Sequence, residues 1–197
     1  MSNHERNYLF SWIALIWPWI TIFLIILNIL ISPWFSWYKN ALSDLGVHQY
    51  GFIFNSAIFT EGLINGVYFF FHGKNSRQRY LIVIGSFSLS LVGVFNENFH
   101  LLHLIFALIY FIFMPIYIIL NFGYTENLNK FFNIIIGTTS LFVIIVGILS
   151  SFRLIPRILG LGVYEMLEAV LISMWISIYI LREKIKMYQV HNKTSSP

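Results

Sequence analysis

The chain contains no cysteine, which excludes disulfides and thiolate chemistry. Charge is almost as scarce, with Asp, Glu, Lys and Arg making up 10% of the residues where a water-soluble domain carries about 25%. The twelve basic residues are scattered along the chain, so the dense positive patch that nucleic acid requires is missing. No internal repeat or low-complexity segment stands out, and no linker marks off a second domain. Nucleophile elbows, phosphate-binding glycine loops and complete metal motifs are also absent.

What remains is apolar. Hydrophobic residues make up 58% of the 197, and the mean hydropathy is +0.75. Apolar runs of about 20 residues recur, each long enough to cross a bilayer core as a helix. Backbone polar groups cannot stay unpaired in lipid, which leaves helices or a closed barrel. The short alternating segments of barrel strands do not occur. The sequence therefore predicts an all-α, polytopic integral membrane protein with six transmembrane helices in one bundle. The spans are expected at about 8–31, 50–71, 80–95, 99–122, 131–150 and 163–181, giving a membrane domain over 1–186 and a disordered polar tail over 187–197. Trp17, Trp19, Trp34, Trp37 and Tyr38 are expected to form an interfacial aromatic belt.

Lys/Arg bias sets the orientation. Arg6, Lys74, Arg77, Arg79, Lys130, Arg182, Lys184, Lys186 and Lys193 fall on one side, and only Lys39, Arg153 and Arg157 on the other. Nine against three predicts a cell-membrane protein with both termini cytoplasmic.

Of eight acidic residues, Glu5, Glu126 and Glu183 sit on the cytoplasmic side. Asp44, Glu97, Glu165 and Glu168 fall at the outer ends of spans, with His48, His100 and His103 at the same level and Arg153 and Arg157 available there to an anionic group. Positions far apart in the chain thus meet at one depth, either in a shared pocket or at a wet interface. In GVFNENFHLLH, Glu97, His100 and His103 follow one another at i,i+3 spacing on a helix. Glu-x-x-His is a ligand spacing of di-metal bundles, but those need a second copy on another helix. Span six offers only Glu165 and Glu168, which leaves hydrogen bonding as the stronger reading of Glu97, His100 and His103 and metal as the weaker. In the first outer loop, Ser32-Pro33 is a helix-start signal and Gly46 a stop, predicting a short surface helix. Ser43-Asp44 near its end either activates a nucleophile, binds a cation or shapes a turn.

Glu61 lies near the middle of span two, where a carboxylate must be protonated, paired or beside water. Gly62 and Gly66 next to it form a small-xxx-small face for close helix approach.

Together, ALSDLGV, IFNSAIFTEGLING and VGVFNENFHLLH resemble the prokaryotic membrane-protein family catalogued as domain of unknown function 998. The resemblance implies a six-span fold and puts Ser43, Asp44, Gly46, Asn55, Gly62, Gly93, Glu97 and either His100 or His103 at the family's motif positions, with Glu165 at a later one. Asn96 and Tyr164 stand where the family's pattern has proline. It implies no activity and no cofactor.

Three functions stay open from the sequence. The first is an outer-face pocket of Ser43, Asp44, Asn55, Glu97, His100, His103, Glu165 and Glu168 that binds or processes a lipid head group or small ligand. The second is a proton- or cation-coupled transporter using Glu61, and the third a structural or accessory membrane subunit.

Overall fold

The computed structural model describes residues 3–73, 76–121, 127–156 and 159–194. Lys74, Glu126 and Arg157, which enter the charge count or the anion-binding expectation, lie outside the described residues. Six α-helices follow one another: α1 Asn3–Leu30, α2 Gly51–His72, α3 Arg79–Val94, α4 His100–Leu120, α5 Asn127–Ser151 and α6 Leu161–Thr194. Among the described residues there is no strand. Each helix packs on its neighbours in the chain, and α6 returns to α1, closing a ring.

Four segments are long and apolar enough to cross a membrane: Asn7–Leu30, Glu97–Leu120, Lys130–Ser151 and Leu161–Ile185. At 1.5 Å per residue α2 reaches about 33 Å, but Asn55, Glu61 and Asn65 dilute its apolar character. At 16 residues α3 is shorter, about 24 Å. These two make the tightest pair. A Cβ on Gly62 would overlap the Ser86 carbonyl and the Ser90 amide of α3, and one on Gly66 would meet the Phe87 ring at 2.9 Å. The close approach expected of the Gly62/Gly66 face is thus present, with α3 as its partner.

Polarity is arranged as lipid demands. Large apolar side chains such as Phe23, Phe71, Phe131 and Phe142 are exposed on the outside, while Ser, Asn, Thr and Glu side chains are buried between helices. Trp19 Nε1 donates to Ser177 Oγ at 2.8 Å, joining α1 to α6, and Trp175 Nε1 donates to Asn133 Oδ1 at 2.9 Å, joining α6 to α5. Trp17 and Trp19 sit near the middle of α1 and are no part of an interfacial belt. Trp34, Trp37 and Tyr38 do lie beyond the helix end.

Two expectations are corrected. The Ser32–Gly46 segment forms no surface helix, only turns and one 3-10 turn at Ser43–Val47. Its backbone is used elsewhere: Gly160 N donates to Trp37 O and Gly162 N to Asn40 O, both at 2.9 Å. Gly46 is not a left-handed stop, since no described glycine has positive φ. It allows close approach, for a Cβ there would strike the Asn55 side chain. The second correction is at the C-terminus, where α6 continues to Thr194 through residues expected in a disordered tail. Residues 182–194 contain no Pro or Gly to end the helix.

Candidate functional site

The connections α1–α2, α3–α4 and α5–α6 meet at one end of the ring, and residues 40–44 are where they join. Asp44 Oδ2 accepts from Asn40 Nδ2 at 2.7 Å and from Ala41 N at 3.1 Å, closing a turn within the segment. Ser43 Oγ donates to Glu97 Oε1 at 2.7 Å, tying in the α3–α4 connection. Leu42 N donates to Glu165 Oε2 at 2.6 Å, tying in the first turns of α6. Three carboxyls from distant parts of the sequence therefore converge on five residues. Ser43 donates to Glu97 and Asp44 accepts within its own segment, contacts that fit the turn reading of the pair.

The rest of the motif is held by backbone. Asn96 Oδ1 accepts from Asn98 N at 3.2 Å and begins a 3-10 turn, Glu97–Phe99, ahead of α4. His100 then takes φ 20°, which breaks the helical register between Glu97 and the histidines. Glu97 and the two histidines therefore do not share one continuous helix face. Among the described residues no group of three His, Asp or Glu side chains is placed to hold a metal ion. His103 Nδ1 lies 2.8 Å from Phe95 O at the end of α3. A carbonyl can only accept, so Nδ1 carries the proton, and in the neutral ring Nε2 is left as an acceptor.

Behind this junction the ring encloses a cavity of about 70 Å³. Its polar wall is Thr21, Ser43, Glu61, His103, Tyr110 and Glu165, and its apolar wall includes Ile22, Ile25, Phe54, Ile58, Val92 and Phe111. All helices but α5 contribute. Ser43, His103 and Glu165 are at the end of the ring. Glu61 and Tyr110 are each ten residues into their helices from that end, about 15 Å deep. Glu97, His100 and His103 line a separate open depression with Leu101 and Leu104, so His103 belongs to both spaces.

The candidate pocket residues thus divide. Ser43, His103 and Glu165 line the cavity, while Glu97, His100 and His103 line the depression beside it. Asp44 closes a turn. Asn55 is a brace: its Nδ2 donates to Gly46 O at 2.9 Å and fixes the 3-10 turn on α2. Glu168 is fully buried away from the cavity, beside Ser140 of α5. Arg153 sits on an exposed turn with φ 58° and does not line the cavity. Joining Glu61 to the outer residues, and adding Thr21 and Tyr110, is what the sequence did not disclose. One signal was available: all three lie nine or ten residues from the helix end that meets the junction.

Fold and site together define a polytopic helical membrane protein whose helix ring encloses a carboxyl-lined cavity at one end. The family described as protein of unknown function, DUF998, matches residues 13–182. The chain belongs to that family. Comparison with curated proteins and with solved structures gives no match.

Proposed function

We propose that the protein sits in the cell membrane with both termini cytoplasmic and binds a lipid head group or similar small polar ligand in the cavity at its outer end. The cavity carries this reading. Carboxyl, imidazole and hydroxyl groups from α2, α4, α6 and the Ser43 turn face one space, while apolar side chains of α1 to α4 continue its wall. Such sites combine an apolar lining with a few convergent polar groups. Ala107 on α4 faces the same space. An Ala107→Phe substitution should therefore fill it and remove a ligand that native mass spectrometry finds retained on the wild-type protein. Equal retention by both proteins would count against the cavity as the site.

Orientation rests on the nine-to-three distribution of Lys and Arg and has its own test. The absence of cysteine gives a clean background for single cysteines at Asn40, Asn75, Asn127 and Lys193. An impermeant thiol reagent should label only Asn40→Cys in intact cells. Labelling of Asn75→Cys from outside would invert the topology.

A second reading, proton- or cation-coupled transport through Glu61, is favoured by one observation: Glu61 shares its cavity with Glu165 and His103. A polar route then runs about 15 Å inward from the junction.

A further inference from the structure

The polar wall of the cavity consists of acceptors and hydroxyls, and among the described residues no Lys or Arg lines it. Glu61 is only 6% exposed, and what exposure it has is toward the cavity. Its polar neighbour is the Thr21 hydroxyl. Thr21 Oγ1 also lies 3.3 Å from the Ala57 carbonyl, and one hydroxyl proton cannot serve all the lone pairs of a carboxylate. Glu61 therefore keeps acceptor capacity toward the space. Glu165, 8% exposed, binds Leu42 N through Oε2, and a carboxylate has lone pairs for several donors. His103 contributes Nε2 as a third acceptor when neutral. A buried carboxylate calls for a cation, a proton or water beside it, and the cavity wall supplies no cation.

A volume of about 70 Å³ exceeds the minimum that one water needs, so a small head group has room there. Access narrows the choice. The depression beside the cavity is bordered by Leu101 and Leu104, 67% and 47% exposed, so in a bilayer it opens to lipid with His103 between the two spaces.

We propose that the cavity takes a primary ammonium group carried on an amphiphile, which enters from the lipid side past His103 and is held by Glu61 and Glu165. The inference rests on the ligand-binding reading above and specifies the chemistry of its ligand. A primary ammonium brings three N–H donors to carboxyl and imidazole acceptors that have lone pairs left over. A trimethylated ammonium has the charge but no N–H and is larger, and a phosphate would face carboxyls.

The test is a matched series. Purified wild-type protein in a maltoside detergent at pH 7 is titrated with n-octylamine, n-octanol, octyl phosphate and octyltrimethylammonium, with binding read as a rise in Tm. Octylamine should bind at least tenfold more tightly than the other three. Glu61→Gln and Glu165→Gln together should weaken it at least tenfold, and Ala107→Phe should abolish it. Should octanol, octyl phosphate or octyltrimethylammonium match octylamine in binding that Ala107→Phe abolishes, the cavity remains a ligand site and the ammonium inference falls. Should Ala107→Phe leave binding of every member unchanged, or no member bind, both readings fall. The wild-type series decides the question even if the glutamine variants do not fold.

Discussion

Gly62→Leu should abolish recovery of folded, monodisperse protein from detergent, while Glu61→Gln, one residue away, should be recovered at wild-type yield. The difference lies in what each side chain meets. Even the first carbon of a side chain at Gly62 would overlap main-chain atoms at Ser86 and Ser90, and a backbone held in a helix cannot yield as a flexible side chain can. The helices would have to part, breaking the Ser90 Oγ bond to Phe59 O at 2.9 Å. Their separation would also loosen Gly93, whose missing Cβ lets α3 sit on the Asn55 carbonyl and Phe59. Overpacking one well-packed site costs about 1–3 kcal/mol, and here Gly62, Gly66 and Gly93 are disturbed together. Glu61→Gln keeps the shape, an acceptor oxygen and the cavity position. A normal Tm for Gly62→Leu would mean that α2 and α3 are not in this contact. A collapse of Glu61→Gln equal to that of Gly62→Leu would mean that its charge, and not its shape, holds the bundle.

The helices were legible because lipid leaves the backbone few choices. The second helix, expected at 50–71, is Gly51–His72, and the third, expected at 80–95, is Arg79–Val94. Gly62 and Gly66 were legible for a similar reason, since i,i+4 glycines mark one face whatever helix comes to cover it. The first outer loop was not. Ser32-Pro33 and Gly46 carry valid local helix signals, but Trp37 O and Asn40 O accept from Gly160 and Gly162, more than a hundred residues on. No local rule reports a partner at that distance. His100 is the converse case. The i,i+3 spacing of Glu97, His100 and His103 is sound only on a continuous helix, and one residue at φ 20° turns the motif into two parts. Thr21 and Tyr110 went unnoticed because a lone hydroxyl in an apolar run has no pattern. Only depth, counted from the junction end of each helix, groups them with Glu61.

The Glu165–Leu42 bond ties the α1–α2 connection to α6, and its loss should be measurable. Leu42 is 4% exposed, so its amide has no access to water if Glu165 is removed. Glu165→Ala leaves that buried donor unpaired, a loss of about 1–3 kcal/mol. Glu165→Gln keeps an oxygen where Oε2 sits and should remain close to wild type in Tm. Ser43→Ala is the informative comparison, because it removes the bond to Glu97 from the same segment but leaves a carboxyl that is only half-buried. Its effect should be the smaller of the two. If Glu165→Gln lowers Tm as much as Glu165→Ala, the negative charge of Glu165 and not its bond to Leu42 is what the fold requires. Loss of this bond should also free residues 40–44 from α6, so Glu165→Ala should speed hydrogen exchange at Leu42 and Ser43 while leaving the α2–α3 pair protected. Exchange that rises equally in α2 and α3 would show that the junction and the helix ring unfold as one unit.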